Sequence, residues 1–108
     1  MKKFLFTCLF LAASPALADG YIMGAGRWTC EKVVAVADGE HLGDYFQMAG
    51  WILGFWSRET LDQDAPFIDK VEGIGGQKVF QFTVDACRKV APETPLYVLT
   101  RNIIASSK

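Results

Sequence analysis

Residues 42–61 read LGDYFQMAGWILGFWSRETL. Two of the three tryptophans, Trp51 and Trp56, fall here beside Tyr45, Phe46 and Phe55, with Gly43, Gly50 and Gly54 threaded between them. At about 100° per residue the three glycines lie within about 20° of one line, with Gln47 and Ser57 beside it. The opposite side carries Leu42, Tyr45, Met48, Ala49, Ile52, Phe55 and Trp56. This spacing predicts one amphipathic helix of about 18 residues with a glycine groove down its back. Each interior glycine costs about 1 kcal/mol relative to alanine, so the groove needs a reason. Close packing of a second helix backbone, which small residues permit, is the first expectation. An exposed groove for a partner chain is the alternative. A membrane span is not expected, because the longest uninterrupted apolar run, Met48 to Trp56, is far shorter than the roughly 20 residues required.

Upstream, Thr29 is placed to cap a helix, with Trp28 positioned to staple onto Val33 and Gly39 as a C-terminal stop. Valine is a modest helix former, so a strand over 32–36 is an open alternative. Residues 19–27, DGYIMGAGR, carry three glycines and no periodicity and read as a flexible lead-in. Residues 1–18 have the layout of a secretory signal peptide: Lys2 and Lys3, an apolar run from Phe4 to Ala13, and a small-x-small site at Ala16-Leu17-Ala18, with cleavage expected after Ala18. The expected location is the periplasm, and the mature domain is 28–108.

Downstream, Asp64 and Pro66 suit a helix start, with Phe67, Ile68 and Val71 as its apolar patch. Gly73, Gly75 and Gly76 interrupt it and predict a hinge between two short helices. Phe80, Val84, Cys87 and Ala91 then recur on one helical line, with Val79, Ala86 and Val90 near it. Pro92 ends that helix. Thr94-Pro95 opens another, with threonine as the cap and proline at the first position, whose apolar face is Leu96, Leu99 and Ile103 flanked by Val98 and Ile104, before a frayed polar tail from Asn102. The fold class expected is all-α, a small orthogonal bundle of four to five helices.

Processing removes Cys8 and leaves Cys30 and Cys87, an even pair that predicts one disulfide in an exported chain. Free or metal-binding thiols are the alternative, without any C-x-x-C spacing to support them. Closing a loop of about 58 residues contributes roughly 4 kcal/mol on chain entropy alone. The mature chain keeps nine Lys and Arg against twelve Asp and Glu, a net charge of about −3, which argues against a nucleic-acid partner. No catalytic residues, cofactor or metal are expected. The lone histidine, His41, sits among Asp38, Glu40 and Asp44, which read as a solvated helix-start cluster rather than a metal site. Gly73 to Lys78 lacks the spacing of a phosphate loop, and no G-x-S-x-G or H-E-x-x-H is present.

Trp28-Thr29-Cys30-Glu31, followed by Ala35-Val36, resembles the start of the HdeA/HdeB family of periplasmic acid-stress chaperones. Val84-Asp85-Ala86-Cys87 is similar to the family's second cysteine segment, and Glu72-Gly73-Ile74 to a glycine turn ahead of it. The resemblance implies a Cys30–Cys87 pairing and a protein that is not an enzyme and binds unfolded clients at low pH, with a homodimer among the possible states. The client or partner surface expected is Phe46, Trp51, Phe55 and Trp56, opened by a hinge at Gly73, Gly75 and Gly76. A second resemblance rests on Gly50-Trp51-Ile52-Leu53-Gly54 and Pro92-Glu93, which are similar to segments of periplasmic immunity proteins that neutralise cell-wall amidase effectors of type VI secretion. That resemblance implies a folded enzyme as the partner.

Overall fold

The computed structural model describes residues 20–108; the expected signal peptide lies outside them. A 3-10 turn, Gly24–Arg27, leads into five helices: α1 (Cys30–Asp38), α2 (Leu42–Thr60), α3 (Ala65–Ile74), α4 (Gly76–Cys87) and α5 (Leu96–Ser107). There is no β-strand among the described residues, only an isolated antiparallel bridge between Thr29 and Pro95. The all-α bundle tied by one disulfide is therefore the architecture of the chain.

α1 forms where its end signals place it. The Lys32 N–H donates to Thr29 Oγ1 at 3.3 Å, and the chain leaves the helix at Gly39. Two further N–H groups of the first turn would otherwise lack partners. Cys30 N–H donates to the Thr94 carbonyl at 2.7 Å and Glu31 N–H to the Pro92 carbonyl at 2.9 Å. Leu96 N–H donates back to the Trp28 carbonyl at 2.8 Å. With its ends capped and Cys30, Val33 and Val36 buried at helical spacing, the valine-rich segment is helix, not strand.

α2 runs 19 residues and buries Met48, Ile52 and Trp56, one per turn at i, i+4. The Trp56 indole N–H donates to Thr83 Oγ1 at 3.3 Å, and the Thr83 hydroxyl donates to the Val79 carbonyl at 2.7 Å. The one polar atom that Trp56 brings into the core is thus satisfied, and its ring meets Phe82 edge-on at 5.6 Å.

Of the three glycines expected to form a hinge, one carries the break between the two short helices. Gly73 lies inside α3 and Gly76 begins α4, so the whole change of direction falls on Gly75, at φ 86° and ψ 155°. That conformation is open to glycine and strained for any residue with a Cβ. Gly75 N–H donates to the Val71 carbonyl, and its own carbonyl accepts from Val79 N–H, both at 3.0 Å, so one residue closes α3 and starts α4.

Three boundaries differ from the sequence expectation. α4 ends at Cys87 rather than near Val90, leaving Val90 and Ala91 exposed. α5 starts at Leu96 with Pro95 as its cap, because residues 91–94 form a turn, closed by Thr94 N–H to the Ala91 carbonyl, that lies against the first turn of α1 and directs the Thr94 carbonyl there. The C-terminal residues do not fray: α5 continues to Ser107, whose carbonyl accepts from Lys70 Nζ at 2.8 Å, and Ile104 rather than Ile103 is buried.

Cys30 and Cys87 form the disulfide, with their Cα atoms 5.0 Å apart and both residues buried. Beside it, Arg88 grips Asp38 with two hydrogen bonds, 2.9 and 2.7 Å, and lies 3.5 Å from Asp85. The hydrogen bonds from the guanidinium hold the Asp38 carboxyl below the usual aspartate range.

Candidate functional site

The residues that sequence reading groups as a binding surface do not share one side of α2. Phe46 is open to solvent, 66% exposed, and meets Tyr45 edge-on at 5.8 Å. Trp51 and Phe55 stack with centroids 4.9 Å apart and 29° between their planes, both half-buried. Trp56 is 3% exposed and belongs to the core. At about 100° per residue, Phe46 and Trp51 point some 140° apart, as do Trp51 and Trp56. Only the Trp51–Phe55 pair, four residues apart, is brought together.

The side of α2 away from the core is unusual in another respect. Gly43, Gly50 and Gly54 all face open space: a Cβ built on any of them would meet nothing within 4 Å. The expected close approach of a second helix is therefore not present. The neighbouring helices pack instead on the Met48, Ile52 and Trp56 side. The outward arc reads Gly43, Phe46, Gln47, Gly50, Gly54 and Ser57, with Leu42 and Leu61 exposed at its ends. No charge interrupts it until Arg58 at its flank, which pairs with Asp62 at 2.8 Å. A helix buried on one side ordinarily carries charged residues on the other.

Close backbone approach does occur, but at a glycine outside α2. Gly26, in the 3-10 turn, lies against the Trp51 indole so tightly that a Cβ there would overlap ring atoms Cε2 and Cζ2, and it would also sit 2.8 Å from Ile22 Cγ2. Ala25 beside it is 1% exposed. Residues 24–27 are thus a folded cover on α2 rather than a flexible lead-in. The sequence offers only a faint sign of this, two glycines flanking an alanine ahead of Trp28. Thr83, the partner of the Trp56 indole, is likewise not singled out by any motif.

Among the described residues no group of three or more His, Cys, Asp or Glu is arranged to hold a metal ion. Of the acidic cluster around His41, Asp38 is committed to Arg88. Among the described residues no helix is long and apolar enough to cross a membrane. No family model, no curated protein and no solved structure matches the chain.

Proposed function

We propose that the chain is an exported, non-enzymatic protein that binds unfolded proteins through α2, as its resemblance to the HdeA/HdeB acid-stress chaperones implies. The observation that carries this reading is the bare, uncharged outer arc of α2, where three glycines without neighbours lie beside the exposed Phe46. Such an arc gains nothing for the isolated domain, since Gly50 and Gly54, interior to the helix, weaken it by about 1 kcal/mol each. It is suited to an apolar chain laid along it.

Acid would enlarge this surface. As the carboxylates protonate toward pH 2, the mature chain passes from about −3 to about +10, and self-repulsion loosens the bundle or a dimer of it. The disulfide keeps α1 and α4 joined while Trp51, Phe55 and Trp56 become accessible, with Gly75 as the pivot between the halves. The test is light scattering of an acid-labile client. Aggregation at pH 2 is expected to be suppressed by the purified mature protein; equal scattering with and without it removes the chaperone reading.

One feature favours the second reading, inhibition of a cell-wall amidase effector: Phe46 and the glycine arc are exposed in the folded state and need no acid to reach a partner. A pull-down from periplasmic extract at neutral pH then recovers one enzyme in stoichiometric amount, and recovery of none counts against it.

A further inference from the structure

Trp51 is covered by the chain's own N-terminal turn, and the cover is attached in an unusual way. Among the described residues no hydrogen bond and no ion pair joins residues 20–27 to any helix. The turn closes on itself as a 3-10 helix and at its exit through Trp28 N–H to the Ala25 carbonyl at 3.0 Å, and the one cation stacked within it, Arg27 over Tyr21, is also internal to the segment. Firm attachment begins with the next residues, at the Trp28 carbonyl and the Cys30 and Glu31 N–H groups. What holds the turn down is apolar contact: Ala25 is buried, and the Gly26 backbone lies close against the Trp51 indole.

We infer that residues 22–27 are a displaceable internal ligand of a docking site floored by Trp51 and Phe55, and that the site's external occupant is an unfolded, apolar stretch of another protein with small residues at its centre. The present occupant, IMGAG over 22–26, defines that chemistry: it is uncharged, and its middle brings backbone rather than side chain onto the ring. A segment with a bulky residue at the position of Gly26 does not fit. Around α2, Trp51 adjoins Gln47 and Gly54, so lifting the turn joins the indole to the bare glycine arc and turns two separate patches into one. The turn competes with any incoming chain, and apparent affinity falls by the fraction of molecules that are closed. This inference rests on the client-binding reading for its biological partner, but not for its geometry.

A capped, fluorescein-labelled peptide with the sequence of residues 20–27 tests it by fluorescence anisotropy at pH 7 against the full disulfide-bonded mature protein. The Gly26→Val variant, whose own turn cannot seat on the indole, is expected to bind the peptide at least about tenfold more tightly than the parent, and adding Trp51→Ala is expected to abolish the gain. Equal affinity for parent and Gly26→Val, or a gain that survives Trp51→Ala, overturns the inference. If Gly26→Val fails to fold, hydrogen exchange on the parent protein decides. The Trp28 amide is expected to exchange at least about tenfold faster than the Cys30 and Glu31 amides, and equal protection overturns the inference. Tighter peptide binding by Gly26→Val without better protection of acid-labile clients keeps the internal ligand and removes the client reading. Better client protection with unchanged peptide binding does the reverse.

Discussion

Residues 20–27 and residues 28–38 are neighbours in the chain and opposites in attachment. The first segment lies on Trp51 through apolar contact with no hydrogen bond to a helix; the second is fixed by three backbone hydrogen bonds to 92–96, a disulfide and a two-point ion pair. Directional bonds need partners at set positions and fail together when the geometry is lost, whereas apolar contact is non-directional and one apolar chain can replace another. The difference shows where this domain can exchange its own chain for another's and where it must stay closed.

The largest expected effect tests the fixed side. Replacing Cys30 and Cys87 by serine opens a tie between residues 57 apart and is expected to lower unfolding free energy by about 4 kcal/mol. Urea denaturation with and without reductant measures it, and a loss below about 1 kcal/mol would mean that the hydrogen bonds to 92–96 hold α1 unaided. Next comes Gly26→Ala, expected to cost about 1–3 kcal/mol by forcing atoms into the space of the indole. If the turn is the separable element described above, fluorescence of Trp51 in a Trp28→Phe, Trp56→Phe background shifts toward that of an exposed indole while α-helical circular dichroism is unchanged.

Gly54→Ala is the converse substitution. It is expected to raise stability by about 1 kcal/mol, since a Cβ there meets nothing and only the helix propensity changes. A thermal midpoint that falls instead would reveal a contact on the outer arc. If Gly54→Ala gains stability and loses client or partner binding, the glycine is retained for the surface it leaves bare.

The smallest effect concerns pH. The folded-state pKa of Asp38 is lowered by its hydrogen bonds to Arg88, so the pair's contribution is fully present above the ordinary aspartate value and is lost as pH falls through the lowered one. Asp38→Asn is expected to remove that dependence at the acid end, leaving the slope of stability between pH 7 and pH 5 unaltered. Chemical denaturation at half-unit steps of pH resolves the difference.

The sequence made some of these features legible because local chemistry and tertiary structure agree there. Thr29 and Gly39 bracket α1 with end signals that act on their own helix, and the apolar spacing of α2 needs only a core on one side. It failed where a remote partner sets the local structure. Thr94 has the credentials of a cap, yet its segment is drawn onto the first turn of α1, which shifts the start of α5 by one residue. Glycine was the hardest residue to read. Gly26, the tight contact, and Gly50, the bare surface, look alike in sequence, because what distinguishes them is the presence of Trp51 in space. The four aromatics of the expected surface share a stretch of chain but not a side of the helix, so composition grouped what geometry separates.

The hydrogen bonds from Cys30 to Thr94 and from Glu31 to Pro92 also impose an order of events. Of the described helices α1 is made first as the chain is synthesised from its N-terminus, and its leading turn stays incomplete until the residues just ahead of α5 arrive. Until then its valine-rich stretch, a weak helix former, is without the partners that fix it, and Cys30 waits for Cys87. Maturation is therefore governed by the tail of the chain. A truncation that removes residues 92–108 would unsettle the beginning of the domain as much as its end.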